Sequence, residues 1–193
     1  MTALAGGAYV LGIPPFTKVG TIEESSVCAS LGPSAHAVEA LRSILPEQGS
    51  YRFDDETIPR RSKQDDAFAA YCFVDGDESQ LLSVRALFQP DAPPDMWEED
   101  VALGDPSHSL TRFDAGIRAV ASHSMAAIFV PCEPRGVLPG GQHNLSVLVH
   151  LKQTGETSTG QRRAGLITLA RSAAASAHER ADCTMPFDVG GQK

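Results

Sequence analysis

The sequence predicts an α+β fold, in which an antiparallel sheet of about four or more strands carries an N-terminal and a C-terminal helix. Helical periodicity is concentrated towards the two ends of the chain, and strand-like runs lie between these helical segments. Two of the runs flank a short polar turn, which is the pattern of a β-hairpin. The sequence has neither the strand–crossover–strand rhythm of a parallel sheet nor a fixed-period repeat.

The two helices are predicted at residues 32–46 and at about 160–181. In the first segment Ser34 offers an N-cap side chain after a Gly-Pro breaker, and Pro46 ends the helix. Each segment has one apolar stripe, which indicates a face packed on the sheet. The stripe residues are Val38, Leu41, Ile44 and Leu45 in the first helix and Leu166, Ile167, Leu169, Ala170, Ala173, Ala174 and Ala177 in the second.

Four strands are predicted between the helices. Along the second strand, Ser83 and Arg85 alternate with apolar residues, so these two side chains are predicted on the face opposite the apolar set. The polar turn Asp75–Ser79 joins the first two strands into the hairpin. The strand-like runs are residues 67–74, 80–88, 117–132 (clearest at Met125–Val130) and 144–151.

Two polar segments, residues 47–66 and 89–112, are predicted as exposed loops. The second contains four prolines and a strongly acidic stretch, and this proline density argues against a long regular element. It allows a short acidic helical turn around Trp97. A loop of this length is unusual in a compact fold, which makes it a candidate for function.

The chain is predicted to contain one folded unit, residues 21–185. Residues 1–20 are interpreted as the remnant of a membrane anchor or a linker, because residues 1–13 are largely apolar but shorter than the roughly 20 residues that span a bilayer. An N-terminus that is disordered or packed on the core is the alternative. Residues 186–193 are predicted to be a disordered tail.

The four cysteines have no C-x-x-C spacing, so two disulfides suit them better than a metal or redox site. Of the three pairings we predict Cys28–Cys72 and Cys132–Cys183, because each link joins a helical segment to a neighbouring strand. A nucleophilic thiol at Cys132 is the alternative. Disulfides predict an extracytoplasmic location, either secreted or anchored in the cell membrane.

Charge and motifs argue against several classes of function. The net charge of −8 is unlike that of a nucleic-acid-binding protein, and the Arg60-Arg61 and Arg162-Arg163 pairs are interpreted as solvated surface. The sequence has no G-x-S-x-G motif and no metal-binding histidine spacing, so we predict no metal, no cofactor and no catalytic residue. The histidines are His36, His108, His123, His143, His150 and His178.

Several short motifs lie at or near the cysteines and in the predicted helix and strands: C-A-S-L at 28–31, L-R-S-I-L-P at 41–46, Y-C-F at 71–73, L-L-S-V at 81–84, F-V-P-C at 129–132, L-S-V-L-V at 145–149 and A-D-C at 181–183. They resemble motifs of actinobacterial secreted and membrane-tethered two-disulfide proteins, including lipoprotein-like families and the PknH-type extracellular sensor domain. The chain has Phe73 after the second cysteine, where the lipoproteins often carry Trp, and it lacks a lipobox cysteine. The resemblance implies an extracytoplasmic α+β domain of the sensor or binding type.

We therefore predict a non-catalytic sensor or binding domain of the cell envelope, whose partner is an envelope protein or a small ligand. Membrane contact is predicted only through the N-terminal anchor. A small secreted hydrolase with a site assembled from distant residues, and a structural envelope protein, are the alternatives. Trp97 is interpreted either as a binding anchor or as a side chain that pins its loop to the core. The candidate binding residues are Asp95, Met96, Trp97, Glu98, Glu99 and Asp100.

Overall fold

A seven-stranded antiparallel sheet organises the protein, with strand order β1-β2-β3-β7-β6-β5-β4. The computed structural model describes residues 19–32, 34–105, 107 and 109–190. An N-terminal and a C-terminal helix pack on the sheet, which confirms the predicted α+β class. The strands are β1 (Arg52–Ile58), β2 (Ala69–Asp75), β3 (Gln80–Pro90), β4 (Thr111–Arg112), β5 (Arg118–Ala121), β6 (Met125–Leu138) and β7 (Gly141–Leu151).

Within the described residues, three α-helices accompany the sheet: α1 (Ala35–Ile44), α2 (Pro94–Leu103) and α3 (Thr159–Arg180). The predicted N-cap of α1 is confirmed, because the Ser34 side chain accepts a hydrogen bond from the Ala37 amide. Ser158 and Gln161 form a capping box at the start of α3. These caps satisfy amide groups that the first turn of a helix leaves without partners.

The main core lies between the sheet and the pair α1 and α3. Helix α3 packs across β6 and β7, and α1 packs against α3. The two helices approach closely at Gly165, where an added Cβ would lie 2.5 Å from Cγ2 of Ile44. Small side chains on the buried face of α3 therefore set the distance between these helices.

Both predicted disulfides are confirmed. Cys28 bonds Cys72 across a sequence separation of 44 residues, with the Cα atoms 5.9 Å apart. Cys132 bonds Cys183 across 51 residues, with the Cα atoms 4.4 Å apart. The first ties the segment before α1 to β2, and the second ties β6 to the segment after α3.

The predicted loop at residues 47–66 is wrong in part, because it contains strand β1. This strand lies at the edge of the sheet and pairs with β2 from Arg52 opposite Asp75 to Ile58 opposite Ala69. Most of its side chains are exposed, so it lacks the apolar alternation that indicates a half-buried strand. The single run 117–132 likewise divides into β5 and β6.

The predicted loop at residues 89–112 is also wrong in part, because it contains the ten-residue helix α2. Pro94 occupies the first turn, where a missing amide hydrogen costs nothing because that amide has no helical partner. The prolines therefore start this helix instead of preventing it.

Both ends of the folded unit differ from their predicted positions. The Gly20 amide already donates to the Gln48 carbonyl at 2.8 Å, so the contacts begin just before residue 21. The predicted disordered tail is wrong for residues 186–190, since Phe187 stacks on His178 and the Asp188 carbonyl accepts from the Gly116 amide. Residues 1–18, on which the anchor prediction depends, and residues 191–193 lie outside the described part of the chain.

A buried ion pair joins the loop after β1 to strand β6. The Arg60 Nη1 donates to Glu133 Oε1 at 2.7 Å, and the two side chains are 5% and 0% exposed. Arg60 also donates to the Ala181 carbonyl and lies over the Phe88 ring, while Thr184 donates to Glu133 Oε2. The interpretation of Arg60 as solvated surface is therefore wrong.

Candidate functional site

The two faces of the sheet are covered to different extents. The helices α1 and α3 close one face, whereas on the other face α2 packs on β5 and β6 and contacts β7 at Ser146. No helix in the described residues covers this second face over β2 and β3 and the adjoining part of β7. We call this uncovered area the open face.

Trp97, one of the predicted binding residues, holds α2 on the sheet. Its side chain is 2% exposed and stacks on Phe129 at a centroid distance of 5.2 Å. The indole Nε1 donates to the Ser146 Oγ at 2.9 Å. Of the two interpretations of Trp97, the structure therefore supports the side chain that pins its segment to the core.

The acidic side chains of α2 divide into two groups. Glu98 forms ion pairs with Arg112 at 2.8 Å and with Arg118, and Asp95 lies 3.0 Å from Arg118. Hydrogen bonds from Arg112 lower the pKa of Glu98 more than burial raises it, and Arg118 lowers it further. The remaining predicted residues Met96, Glu99 and Asp100 are exposed.

Replacing Trp97 with phenylalanine is expected to lower the free energy of unfolding by about 2 kcal/mol. The change removes part of the buried ring and leaves the Ser146 hydroxyl without its indole donor. Urea unfolding measures the effect. The Met96→Ala variant, altered at an adjacent exposed position, is the control and is expected to stay within about 0.5 kcal/mol of the wild type. Equal losses in both variants would contradict the internal role of Trp97.

The open face holds a cavity of about 420 Å³, within the range of small-molecule sites. Its floor is built by adjacent strands, because Arg85 on β3 lies opposite Tyr71 on β2 and Leu148 on β7. Tyr71 and Phe73 stack almost in parallel, with centroids 6.3 Å apart. The lining residues are Tyr71, Phe73, Gln80, Ser83, Val84, Arg85, Gly104, Leu148, His150 and Lys152.

Three basic side chains share this cavity. The Lys152 Nζ lies 3.0 Å from Nδ1 of His150, and Arg85 occupies the diagonal position to His150 across β3 and β7. Burial lowers the pKa of His150 from its ordinary value, and the charges of Lys152 and Arg85 lower it further, while Asp105 acts in the opposite direction. A pKa below the ordinary value of 6.5 favours the neutral form of the His150 ring at pH 7.

Asp105 is a buried carboxylate that follows α2 and lies close enough to His150 to influence its charge. Ser122 and Ser124, in the turn between β5 and β6, donate their hydroxyls to Oδ1. Ser107 donates to Oδ2 at 2.7 Å. Burial raises the pKa of Asp105, but the hydrogen bonds from Ser107, Ser124 and Ser122 together hold it below its ordinary value.

Part of this site follows from the sequence. The predicted placement of Ser83 and Arg85 on one face of their strand is confirmed. Tyr71, Phe73 and Lys152 were not predicted as site residues from the sequence. Two features of the sequence indicate them: Tyr71 and Phe73 alternate along β2, and Lys152 follows His150 by two residues. His108 lies outside the described residues.

Among the described residues, no group of three or more His, Cys, Asp or Glu side chains is arranged to hold a metal ion. No helix in that part of the chain combines the length and the apolar character needed to cross a membrane.

The fold and the site define an α+β domain with two disulfides and an open sheet face that contains a basic, aromatic-lined cavity. The disulfides are consistent with an extracytoplasmic location. Comparisons with protein-family models, with curated proteins and with solved structures found no match.

Proposed function

We propose that the protein is a non-catalytic sensor or ligand-binding domain that works outside the cytoplasm, secreted or tethered at the cell envelope. The observation that carries the proposal is the cavity on the open face. It combines an aromatic pair with polar side chains directed to one surface, which is the usual composition of a ligand site. The two disulfides support the compartment.

The hydrogen bonds of His150 favour binding over acid–base catalysis. A catalytic histidine is commonly oriented by a carboxylate that accepts from one ring nitrogen. Here Nδ1 of His150 is held by the Lys152 ammonium group, and the Asp105 carboxylate accepts its hydrogen bonds from serines. The side chains of the cavity are thus arranged to donate to a ligand.

A fragment screen by NMR on the ¹⁵N-labelled full chain tests the proposal. We expect small molecules at millimolar concentration to shift backbone amide signals of residues 71–73, 83–85 and 148–152. Amide signals of residues 165–175, in the helix on the opposite face, serve as the internal control and are expected to stay in place. A screen in which no fragment shifts the open face would contradict the proposal and favour a structural envelope protein.

A small secreted hydrolase is the second candidate, and one observation favours it. Ser83 lies directly opposite His150 in the β3–β7 register, so a hydroxyl and an imidazole face the same cavity. A fluorophosphonate probe followed by peptide mass spectrometry separates the two functions. We expect no labelling at Ser83 in the native protein. Labelling that disappears in the His150→Gln variant would establish the hydrolase.

A further inference from the structure

We infer that the open face binds a small organic anion, a molecule with a carboxylate or phosphate group next to an apolar or planar part. The anionic group lies against Arg85 and Lys152, and the apolar part lies over Tyr71 and Phe73. This inference rests on the proposed function and names the chemical class of its ligand.

The first argument is the hydrogen-bonding capacity of the basic side chains. Guanidinium and ammonium groups donate and never accept. Because the Lys152 ammonium occupies Nδ1 of His150, the neutral ring carries its proton on Nε2 and is a donor as well. Arg85, His150 and Lys152 therefore offer only donors at their remaining positions, which matches a ligand group that only accepts.

The second argument is the absence of a neutralising partner. Within the residues that the structure describes, neither Arg85 nor Lys152 forms an ion pair with a carboxylate. This contrasts with α2, where Glu98 and Asp95 meet two arginines. In a chain of net charge −8, two cations that face one cavity and take part in none of the described ion pairs form a local site of complementary charge for an anion. The nearby Asp105 carboxylate is buried and accepts its hydrogen bonds from serines.

The third argument concerns the orientation of the ligand. On β1, the acidic residues Asp54 and Glu56 lie opposite Phe73 and Tyr71. The aromatic pair therefore separates an acidic strand at the sheet edge from the basic side chains of β3 and β7. An anionic group is repelled from the first and attracted to the second, so the apolar part of the ligand is directed over the rings.

A second cavity, of about 520 Å³, lacks this charge preference. It is formed by residues 42–47 and 154–157 and contains Glu47 and Glu156. Its arginine, Arg42, already donates to the Ile22 carbonyl. This cavity is larger, but it has no excess of hydrogen-bond donors over acidic groups. The smaller cavity on the open face is therefore the better anion site.

NMR titrations of the full chain with benzoate, phenyl phosphate, acetate and neutral benzamide test the inference. We expect benzoate and phenyl phosphate to shift the open-face amides, and benzamide, which matches benzoate in shape, to bind about tenfold more weakly. Acetate, which lacks the ring, is expected to bind more weakly than benzoate. The comparison of benzoate with phenyl phosphate identifies which anionic group the site prefers.

Matched variants locate the effect. Arg85→Gln is expected to weaken benzoate binding about tenfold, and Arg85→Lys, which keeps the charge, to weaken it less. The Arg135→Gln variant makes the same charge change at an arginine that is 76% exposed and lies outside the cavity, and it is expected to bind benzoate like the wild type. Arg85 is exposed, so its replacement is expected to leave the melting temperature unchanged.

Three results would overturn the inference. Equal affinities for benzoate and benzamide, together with an unaffected Arg85→Gln variant, would refute the anion site while leaving a neutral ligand and the proposed function in place. Open-face signals that move with protein concentration would show that a second copy of the chain occupies the surface. If neither these probes nor the fragment screen shifts any open-face signal, the proposed function itself fails.

Discussion

Replacing Glu133 with alanine is expected to lower the free energy of unfolding by about 3–5 kcal/mol. The change leaves the Arg60 guanidinium buried without its carboxylate partner, and it removes the acceptor of the Thr184 hydroxyl. An unpaired buried charge lowers the free energy of unfolding by far more than an intact buried ion pair adds to it. Chemical unfolding in urea measures the loss.

The exposed Arg135–Asp91 pair provides a matched control. Its atoms lie 2.6 Å apart, close to the 2.7 Å of the buried pair, but its side chains are 76% and 33% exposed. The Asp91→Ala variant is therefore expected to lose less than about 1 kcal/mol. Similar losses in the two variants would show that burial does not determine the strength of the Glu133 contact.

The same carboxylate predicts a pH dependence. Burial raises the pKa of Glu133, but the hydrogen bonds from Thr184 and Arg60 outweigh this effect and hold the pKa below its ordinary value of 4.5. A lowered pKa in the folded state adds stability that is fully present above the ordinary value and is lost as the pH falls through the folded value. Wild type is thus expected to lose more stability below pH 4.5 than Glu133→Gln.

Removing the Cys132–Cys183 disulfide by replacing both residues with alanine is expected to cost about 4 kcal/mol. The link closes a long loop, with a sequence separation of 51 residues, so its loss releases much conformational freedom in the unfolded chain. Both replacements are needed because a single one would leave a free thiol. Urea unfolding under non-reducing conditions measures the effect.

The Cys28–Cys72 disulfide serves as the comparison, because its separation of 44 residues predicts nearly the same cost.

The two bonds differ in their surroundings. The Cys132 carbonyl accepts from the Thr184 and Met185 amides, and Thr184 in turn donates to Glu133. Combining Glu133→Ala with the loss of Cys132–Cys183 is therefore expected to cost less than the sum, whereas its combination with the loss of Cys28–Cys72 is expected to be additive. Equal additivity in both combinations would contradict this coupling.

Elements that depend on local chemistry were predicted well. Ser34 and Pro46 bound the first helix in the sequence, and the structure places α1 between them. The polar turn at Asp75–Ser79 predicted the hairpin of β2 and β3, which pair in register from Ala69 opposite Leu87. In these cases the residues that decide the element lie within or beside it, so neighbouring residues in the sequence contain the required information.

Elements stabilised by distant partners were not predicted. Strand β1 contains Asp54, Asp55 and Glu56 and has no apolar alternation, and its pairing with β2 makes it a strand. Helix α2 follows two prolines and is held by Trp97 on Phe129, thirty-two positions later in the sequence. Helix and strand propensities describe an isolated segment of chain. In β1 and α2, contacts with the sheet outweigh these propensities.

The candidate site shows the same division. Alternation placed Ser83 and Arg85 on one face of a strand, but no sequence pattern identified that face as the uncovered one. The acidic stretch drew attention because of its charge, yet Arg112 and Arg118 neutralise part of it after the chain has folded. The sequence gives the number of charged side chains, and the fold determines which of them form ion pairs.

By itself, the sequence determined the α+β class, the helices at both ends, the central hairpin and the pairing of the cysteines. These features depend on residue type and spacing along short stretches of chain, or on the position of each cysteine relative to its neighbouring element. The tertiary structure decided that β1 is a strand, that Trp97 is an internal side chain and that Arg60 is buried with Glu133. It also left the cations Arg85 and Lys152 on the open face, because α2 packs on β5, β6 and the Ser146 part of β7 and leaves β2 and β3 uncovered.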